Sequence, residues 1–532
     1  MRLNMRALLA GASLLCLLAG PALAQTFDDA LRLSELGTFG TARSLATGNS
    51  MGAIGAEWTA VQSNPAGLAA FRRNELSLTI GGIAAGTDAG RYQTFTGVEE
   101  SSLTNSTASD SDFRLVLPQA AAVFTRKPIG SRWTQFNFGI GVSQTRRQEE
   151  NISFAASAPG SITDRFLETS NNFYAGDPFP PDQLLPFDEL LALETGAIFE
   201  LGEDDRTDFE RYASDYDDLG RDSDTDPGIA FPKSGNVQRR GYNASVDLSF
   251  GANYDEKLLV GATLGLVNHS FEESNVYREI DSENQIQFFD QLTWIQATNS
   301  SGTGVLGRIG AIYRANQALR VGLSFHTPTL TFVDQSYSTQ LTYRFTEGTE
   351  TNEATAASPA AEQVEYRFRS PAQLRASAGV VIGRRGFVSA EIARINYAGG
   401  RFTIDEEFDP GEAFSDELND IIDANLRANY QFRLGGEVNL SPVQLRAGYE
   451  FTGTPLESFD GVTEDPTQRF SAGIGWRPGR FGLDLAYQHT RSADRVYRPY
   501  TTEIIEFPSP EVVYTPTLNT FALSLTYKLG RR

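Results

Sequence analysis

Apolar and polar residues alternate with period two along one segment after another. Phe136, Phe138, Ile140 and Val142 interleave with Asn137, Gly139, Gly141 and Ser143. Val246, Leu248, Phe250, Ala252 and Tyr254 interleave with Asp247, Ser249, Gly251 and Asn253. The pattern recurs at Val321, Leu323 and Phe325, at Val443, Leu445, Ala447 and Tyr449, and at Phe521, Leu523, Leu525, Tyr527 and Leu529. It predicts strands with one apolar and one polar face. Six short polar turns punctuate them: Arg126–Arg132, Asn253–Lys257, Arg314–Ala318, Gly383–Gly386, Asn439–Pro442 and Arg477–Arg480. A long polar excursion separates each turn from the next. With both chain ends of a barrel on the short-turn side, six turns imply seven hairpins and 14 strands.

The expected strands are 75–86, 112–125, 133–147, 237–253, 258–271, 302–314, 319–332, 371–383, 386–397, 427–439, 443–453, 467–476, 480–491 and 515–529. The loops joining hairpin arms are then 87–111, 148–236, 272–301, 333–370, 398–426, 454–466 and 492–514. An apolar strand face can point to a sandwich core or to lipid. Strands long enough to cross a bilayer at a tilt favour lipid. So do the glycines and charges on the alternate face, which no second packed layer would accept. Trp133, Trp294, Trp476, Tyr313, Tyr397 and Tyr487 fall near strand ends, as interfacial girdles would. The expected fold is all-β: a 14-stranded antiparallel transmembrane β-barrel.

The first residues support export. Arg2 and Arg6 precede an apolar run from Ala7 to Gly20, and Ala22-Leu23-Ala24 is a small-x-small cleavage site. Residues 1–24 are expected to be a signal peptide, with the mature chain starting at Gln25. The only cysteine, Cys16, lies inside that signal, flanked by leucines that disfavour lipidation. Beyond it no apolar run is long enough for a helical span. A mean hydropathy of −0.29 resembles a soluble protein, but a barrel reads the same, because only alternate residues meet lipid. The net charge of −22 excludes a nucleic-acid partner. Much of that acid is expected in a solvated exterior, with twelve carboxylates from Glu200 to Asp226.

Residues 25–74 break the strand rhythm. They are rich in alanine and glycine and end in Asn64-Pro65-Ala66-Gly67. Asn-Pro forces a turn and the following glycine tolerates positive φ. A stretch of that length before the first strand is enough for a plug inside the lumen; the plain alternative is a periplasmic linker.

Here the sequence resembles the FadL/TodX outer-membrane transporters of long-chain fatty acids and hydrocarbons. The resemblance rests on Gly40-Thr41-Ala42-Arg43-Ser44-Leu45-Ala46-Thr47-Gly48-Asn49, on Ala53-Ile54-Gly55-Ala56, and on Asn64-Pro65-Ala66-Gly67. It continues in residues 319–329 and 444–449, and it spans most of 34–529 apart from the loops. It implies a hatch at 25–74 that plugs a barrel at 75–532. It also implies passage of a hydrophobic substrate from an outer groove to an inner pocket, with sideways exit through the wall. Asn64, Pro65, Ala66 and Gly67 match the family motif and are expected to gate.

Other site residues are read from the strands and loops. Pro118 cannot donate to the ladder, and Gly139 and Gly141 are expected to bend their strand, so the lateral port is placed beside them. Phe187, Leu190, Leu191 and Leu193 recur at helical spacing in the longest loop and offer an outer capture site; packing against other loops is the alternative. Arg320, Arg375, Arg433 and Arg446 are expected to face the lumen, where each could meet a ligand carboxylate or pair with a lumen acid. Asp222, Asp224 and Asp226 alternate like part of a calcium loop, but the glycine falls one place late and Lys233 stands where the last ligand belongs.

No cofactor is expected, and the partners are a hydrophobic small molecule, outer-membrane lipid and lipopolysaccharide, around a monomer. An esterase would need a serine with a histidine base, and His269, His326 and His489 sit in no such motif. A general diffusion porin is the rival reading and would lack the hatch. The last residues, Gly530-Arg531-Arg532, lack the terminal aromatic common in such barrels. Any hydrophobic substrate is expected to require an apolar tunnel.

Overall fold

The structure is a computed structural model. It describes residues 29–34, 39–96, 99–104, 108–174, 187–202, 211–216, 229–358, 362–405, 413–457, 466–492, 494–502 and 511–530. The expected signal peptide and the Asp222, Asp224 and Asp226 cluster lie outside the described residues.

Fourteen strands close into one antiparallel barrel. They are β1 (Glu75–Thr96), β2 (Ala108–Arg126), β3 (Trp133–Ala158), β4 (Phe231–Tyr254), β5 (Leu258–Ile280) and β6 (Phe289–Arg314). β7 comes in two pieces (Leu319–His326 and Leu330–Glu347), as do β8 (Glu362–Arg369 and Gln373–Val381) and β9 (Gly386–Asn396 and Arg401–Ile404). β10 (Ala428–Leu440), β11 (Val443–Thr452), β12 (Thr467–Trp476), β13 (Phe481–Arg491) and β14 (Glu511–Lys528) complete the wall. Each pairs with the next, and β14 returns to β1 over Glu75↔Lys528 to Gln93↔Glu511. All six short turns fall where the sequence places them. Gly383 and Gly479 supply the left-handed backbone, at φ 54° and 95°, that two of them need.

The outer face carries the apolar half of the alternation. Leu78, Phe138, Leu248, Leu266, Ile309, Leu323, Phe432 and Leu525 are all exposed on it. In water that belt would cost about 25 cal/mol per Å²; lipid removes the cost. Its counterpart faces the lumen: Thr79, Asn137, Asp247, Arg308, Arg433 and Ser524 are buried there.

The strands run further out than the sequence suggests. Residues 148–158, 231–236, 272–280, 289–301 and 333–347 are strand, not loop. A register shift between Gln144 and Arg146 moves β3 by one residue, so Ile152, Phe154, Ala156 and Ala158 become the buried side. Beyond the shift the apolar side of the wall turns inward. Helices α1 (Ala42–Ala46) and α2 (Trp58–Ser63) belong to the N-terminal segment; the wall packs on helices α3 (Ile162–Tyr174) and α4 (Phe187–Thr195), around Phe166, Leu191, Trp294 and Tyr343. A second apolar cluster joins helix α5 (Ala413–Asn425) to Phe368, Tyr397 and Phe402. Ala30 and Leu33 of the helical stretch 29–34 belong to it. These clusters cap the loop end of the barrel.

Candidate functional site

Residues 39–74 fold inside the lumen and fill its turn end. Thr41 begins helix Ala42–Ala46, its hydroxyl accepting from the Ser44 amide at 3.3 Å. Glu57 begins helix Trp58–Ser63, its carboxylate accepting from the Ala60 amide at 3.0 Å. Asn64 then starts the 3-10 turn Pro65–Ala70, its side-chain oxygen accepting from Ala66 at 3.1 Å. Proline suits the first position because its missing N–H is unneeded there.

The Asn64–Gly67 turn is clamped from both sides. The Asn64 amide donates to the carbonyls of Ala311 (3.2 Å) and Leu323 (3.5 Å). Gly67 accepts from the Ala56 amide at 3.0 Å. The wall holds the neighbours too. Asn137 donates to the carbonyls of Leu68 (2.7 Å) and Phe71 (2.9 Å), and Ser324 donates to that of Ser63 (2.6 Å). His326 also meets the Ser63 carbonyl, while His269 and His489 are each held by an asparagine.

Lumen-facing glycines let hatch backbone approach wall backbone. A Cβ on Gly261 would stand 2.3 Å from the Pro65 oxygen, and one on Gly310 would stand 2.1 Å from the Asn64 side-chain oxygen. Gly139 and Gly141 belong to this set, which corrects the expectation that they bend their strand. Both sit in continuous ladders to β2 and β4. Added Cβ atoms would lie 2.6 Å from the Trp58 ring, so the two glycines form its slot. The Trp58 indole N–H donates to Ser143 at 3.0 Å. Sequence alone does not mark Trp58, Asn137 and the wall glycines as hatch contacts. Glycines at lumen-facing positions of several strands were the available signal.

The inward arginines are committed to lumen acids or to the hatch, not offered to a ligand. Arg375 pairs with Glu391 at 3.1 Å. Arg433 bridges Glu391 (3.0 Å) and Glu450 (3.1 Å). Arg446 bridges Glu437 and Asp484, both at 2.7 Å. Glu437 also takes Arg43 of the hatch at 2.8 Å. Arg320 donates to the Ile54 carbonyl at 3.0 Å. Charges taken this far from water persist only when paired, and the pairs knit β8–β13 to the plug.

Above the plug lies a chamber of about 240 Å³. Phe39, Ile83, Ile395 and Leu518 give it apolar patches, but Thr145, Gln431, Thr452, Gln488, Arg469 and Arg495 make its walls largely polar. The expected apolar tunnel is therefore not what the described residues form here. A neighbouring pocket of about 300 Å³ shares Glu149 and Glu150 with it.

That second pocket opens where the wall is interrupted. β2 and β3 pair over only eight residue pairs, Gln119↔Ser143 to Arg126↔Phe136. Both strands continue beyond without pairing to each other. Pro118 stands at the lapse, beside a register shift against β1 between Thr79 and Gly81. It has no N–H to give β3. Charged side chains span the break: Arg114 reaches Glu149 at 3.4 Å, and Glu149 also holds Arg147 at 2.6 Å. Phe113, Leu115 and Leu117 lie exposed on the outer face of the unpaired edge.

The proposed capture helix is packed, not open. Leu191 of α4 is buried in the cap cluster, and Phe187, Leu190 and Leu193 pack against it. Its polar side goes inward with it. Arg165 pairs with Asp188 at 3.1 Å and lies 3.8 Å from Glu189. Burial pushes the Glu189 carboxyl up to about 7, against the pull of Arg165. The raised value means the cap favours neutral Glu189. That contribution is complete below pH about 4.5 and is lost as pH rises through about 7. Proteolysis of α3 and α4 should accelerate between pH 5 and 8, with about a hundredfold as the ceiling that such a shift sets. Glu189→Gln should flatten the profile; an unchanged profile would exclude Glu189 as the cause.

No protein-family profile matches the chain, and no curated protein matches it. Solved structures do. A FadL homologue from Pseudomonas aeruginosa is similar over 93% of this chain and 100% of its own, at 12% identity and a TM-score of 0.52. The toluene transporter TodX of Pseudomonas putida aligns over 94% of this chain and 100% of its own, at 14% identity and a TM-score of 0.48. The toluene transporter TbuX of Ralstonia pickettii gives 93% and 100%, 14% and 0.44. The chain has the fold of the FadL homologue: a 14-stranded antiparallel barrel, here with residues 39–74 folded into the lumen.

Proposed function

We propose that this barrel is an uptake route for hydrophobic small molecules, long-chain fatty acids or hydrocarbons, in the manner of the FadL/TodX transporters. The ligand enters the chamber above the plug, with its apolar part against Phe39, Ile83, Ile395 and Leu518. It leaves sideways between β2 and β3 into the membrane. Transfer into an acyl phase gains about 0.8 kcal/mol per methylene, so a gradient drives the passage without an energy source. The hatch turn Asn64–Gly67 gates this movement. The observation that carries the reading is the break in the β2–β3 ladder beside the chamber, at the level of the outward-facing Phe113, Leu115 and Leu117.

Cysteines in place of Arg114 and Glu149, joined by a short bis-maleimide, would bolt the break. Uptake of labelled oleate and labelled toluene should then fall by about tenfold or more, the scale of removing a required step. The uncross-linked double variant should keep transporting. Unchanged uptake after complete cross-linking would refute sideways exit.

The polar chamber walls favour a second reading, a pore for small polar solutes. The plug that fills the lumen opposes it. A steady ionic conductance of the unmodified protein in planar bilayers would select the pore.

A further inference from the structure

We infer that the turn end of the barrel is a binding collar for the phosphate head groups of anionic phospholipid in the periplasm-facing leaflet. The chain as a whole is strongly acidic, with a net charge of −22. Its turn rim is the reverse. Residues 72–75, 126–132, 254–257, 314–318, 382–386, 439–442, 477–480 and 528 hold twelve Arg and Lys against Glu75, Asp255 and Glu256.

Two of the three acids are already engaged. Glu256 is shared by Arg72 and Arg314, and Arg72 holds its carboxyl down to about 2. Asp255 pairs with Arg132 at 3.2 Å. Arg126, Lys127, Lys257, Arg384, Arg385 and Arg480 are exposed and make no ion pair among the described residues. They come from four different turns, so the surplus charge encircles the rim.

Depth argues for lipid over bulk water. Phe124, Leu258, Ile382 and Phe481 end the outward apolar belt, and each stands one or two residues from one of these cations. At ~3.3 Å per strand residue, the charges sit within roughly 7 Å of the hydrocarbon edge. That is the phosphate layer, reached by long stems that keep their methylenes against the apolar face. Guanidinium groups match phosphate oxygens two at a time, and clustered Lys and Arg at a membrane surface select anionic lipid. The collar is independent of any transport route through the lumen.

Full-length protein in non-ionic detergent would be titrated with dihexanoyl phosphatidylglycerol, dihexanoyl phosphatidylcholine and inorganic phosphate, and adducts read by native mass spectrometry. Phosphatidylglycerol should occupy the protein at about tenfold lower concentration than phosphatidylcholine. Changing all six cations to glutamine should remove that preference. Changing only Arg126 and Lys127, or only Arg384 and Arg385, should remove part of it, which keeps the test intact if the full variant does not fold. Changing Arg278, Arg367 and Arg498 at the opposite end should leave it unchanged. Equal binding of the two lipids, or a preference that survives the collar variants, would overturn the inference. Displacement of the lipid by millimolar inorganic phosphate would reassign the rim to free phosphate and overturn the lipid assignment.

Discussion

Replacing Arg433 by methionine is expected to destabilise the barrel by about 3–5 kcal/mol. Its guanidinium is the link between Glu391 and Glu450, at 3.0 and 3.1 Å, and its side chain is 1% exposed. Methionine fills much of the same space, so the loss is not mainly a cavity. Two carboxylates are left in the lumen with one cation fewer. Arg375 still reaches Glu391 and Arg469 still reaches Glu450, which limits the damage without replacing the bridge. Adding Glu391→Gln and Glu450→Gln should deepen the loss, because Arg375 and Arg469 would then lose their carboxylates as well. Urea unfolding of the reconstituted barrel, read by heat-modifiable gel mobility, measures both. A single variant as stable as the parent would mean that water enters the network.

Gly448→Val is expected to unseat the plug. An added Cβ would stand 2.0 Å from the Gly48 amide nitrogen and 2.7 Å from its Cα. The neighbouring strand β10 repeats the contact: a Cβ added to Gly435 would stand 2.0 Å from the Thr47 oxygen. Backbone meets backbone here, so no flexible side-chain tip can swing aside. Gly48 itself sits at φ 58°, a conformation glycine adopts without penalty. The barrel ladder does not depend on the side chain at 448, so the wall should still close while residues 39–74 shift. Limited proteolysis should then cut within 39–74, and planar bilayers should show an ionic conductance that the parent lacks. Gly307→Ala is the matched control, since its nearest neighbours are Thr327 side-chain atoms at 3.4 Å and beyond. A Gly448→Val protein with a protected, non-conducting lumen would refute the steric argument.

The barrel was legible because lipid imposes a local rule. Each membrane-crossing strand must alternate, and each turn between hairpins must be short and polar, so Phe136–Ser143 or Val443–Tyr449 can be read alone. The rule fails above the membrane. There Ile152, Phe154, Ala156 and Ala158 still alternate, but water replaces lipid and a helical cap replaces the lumen. The length of the strands past the bilayer was therefore hidden. The candidate helix at Phe187–Leu193 was visible, whereas its burial depended on Phe166, Trp294 and Tyr343, distant in sequence.

Arg375, Arg433 and Arg446 show the same division. Their inward orientation follows from period two and needs no structure. Whether each meets a ligand or a lumen acid depends on which acids the neighbouring strands bring level with it. Register decides that, and register is a property of pairs of strands. Gly139 and Gly141 are clearer still: a glycine that bends a strand and one that admits Trp58 look identical in a sequence.

The strand count, the turn end, the lipid-facing side and the separate N-terminal segment are all written locally along the chain. Each is dictated by periodicity or composition within a short window. The seating of the plug, the matching of the lumen charges and the point where the β2–β3 ladder stops emerge only in the folded barrel. Those depend on contacts between residues tens to hundreds of positions apart, where close approach and the low dielectric of the interior leave one arrangement favoured.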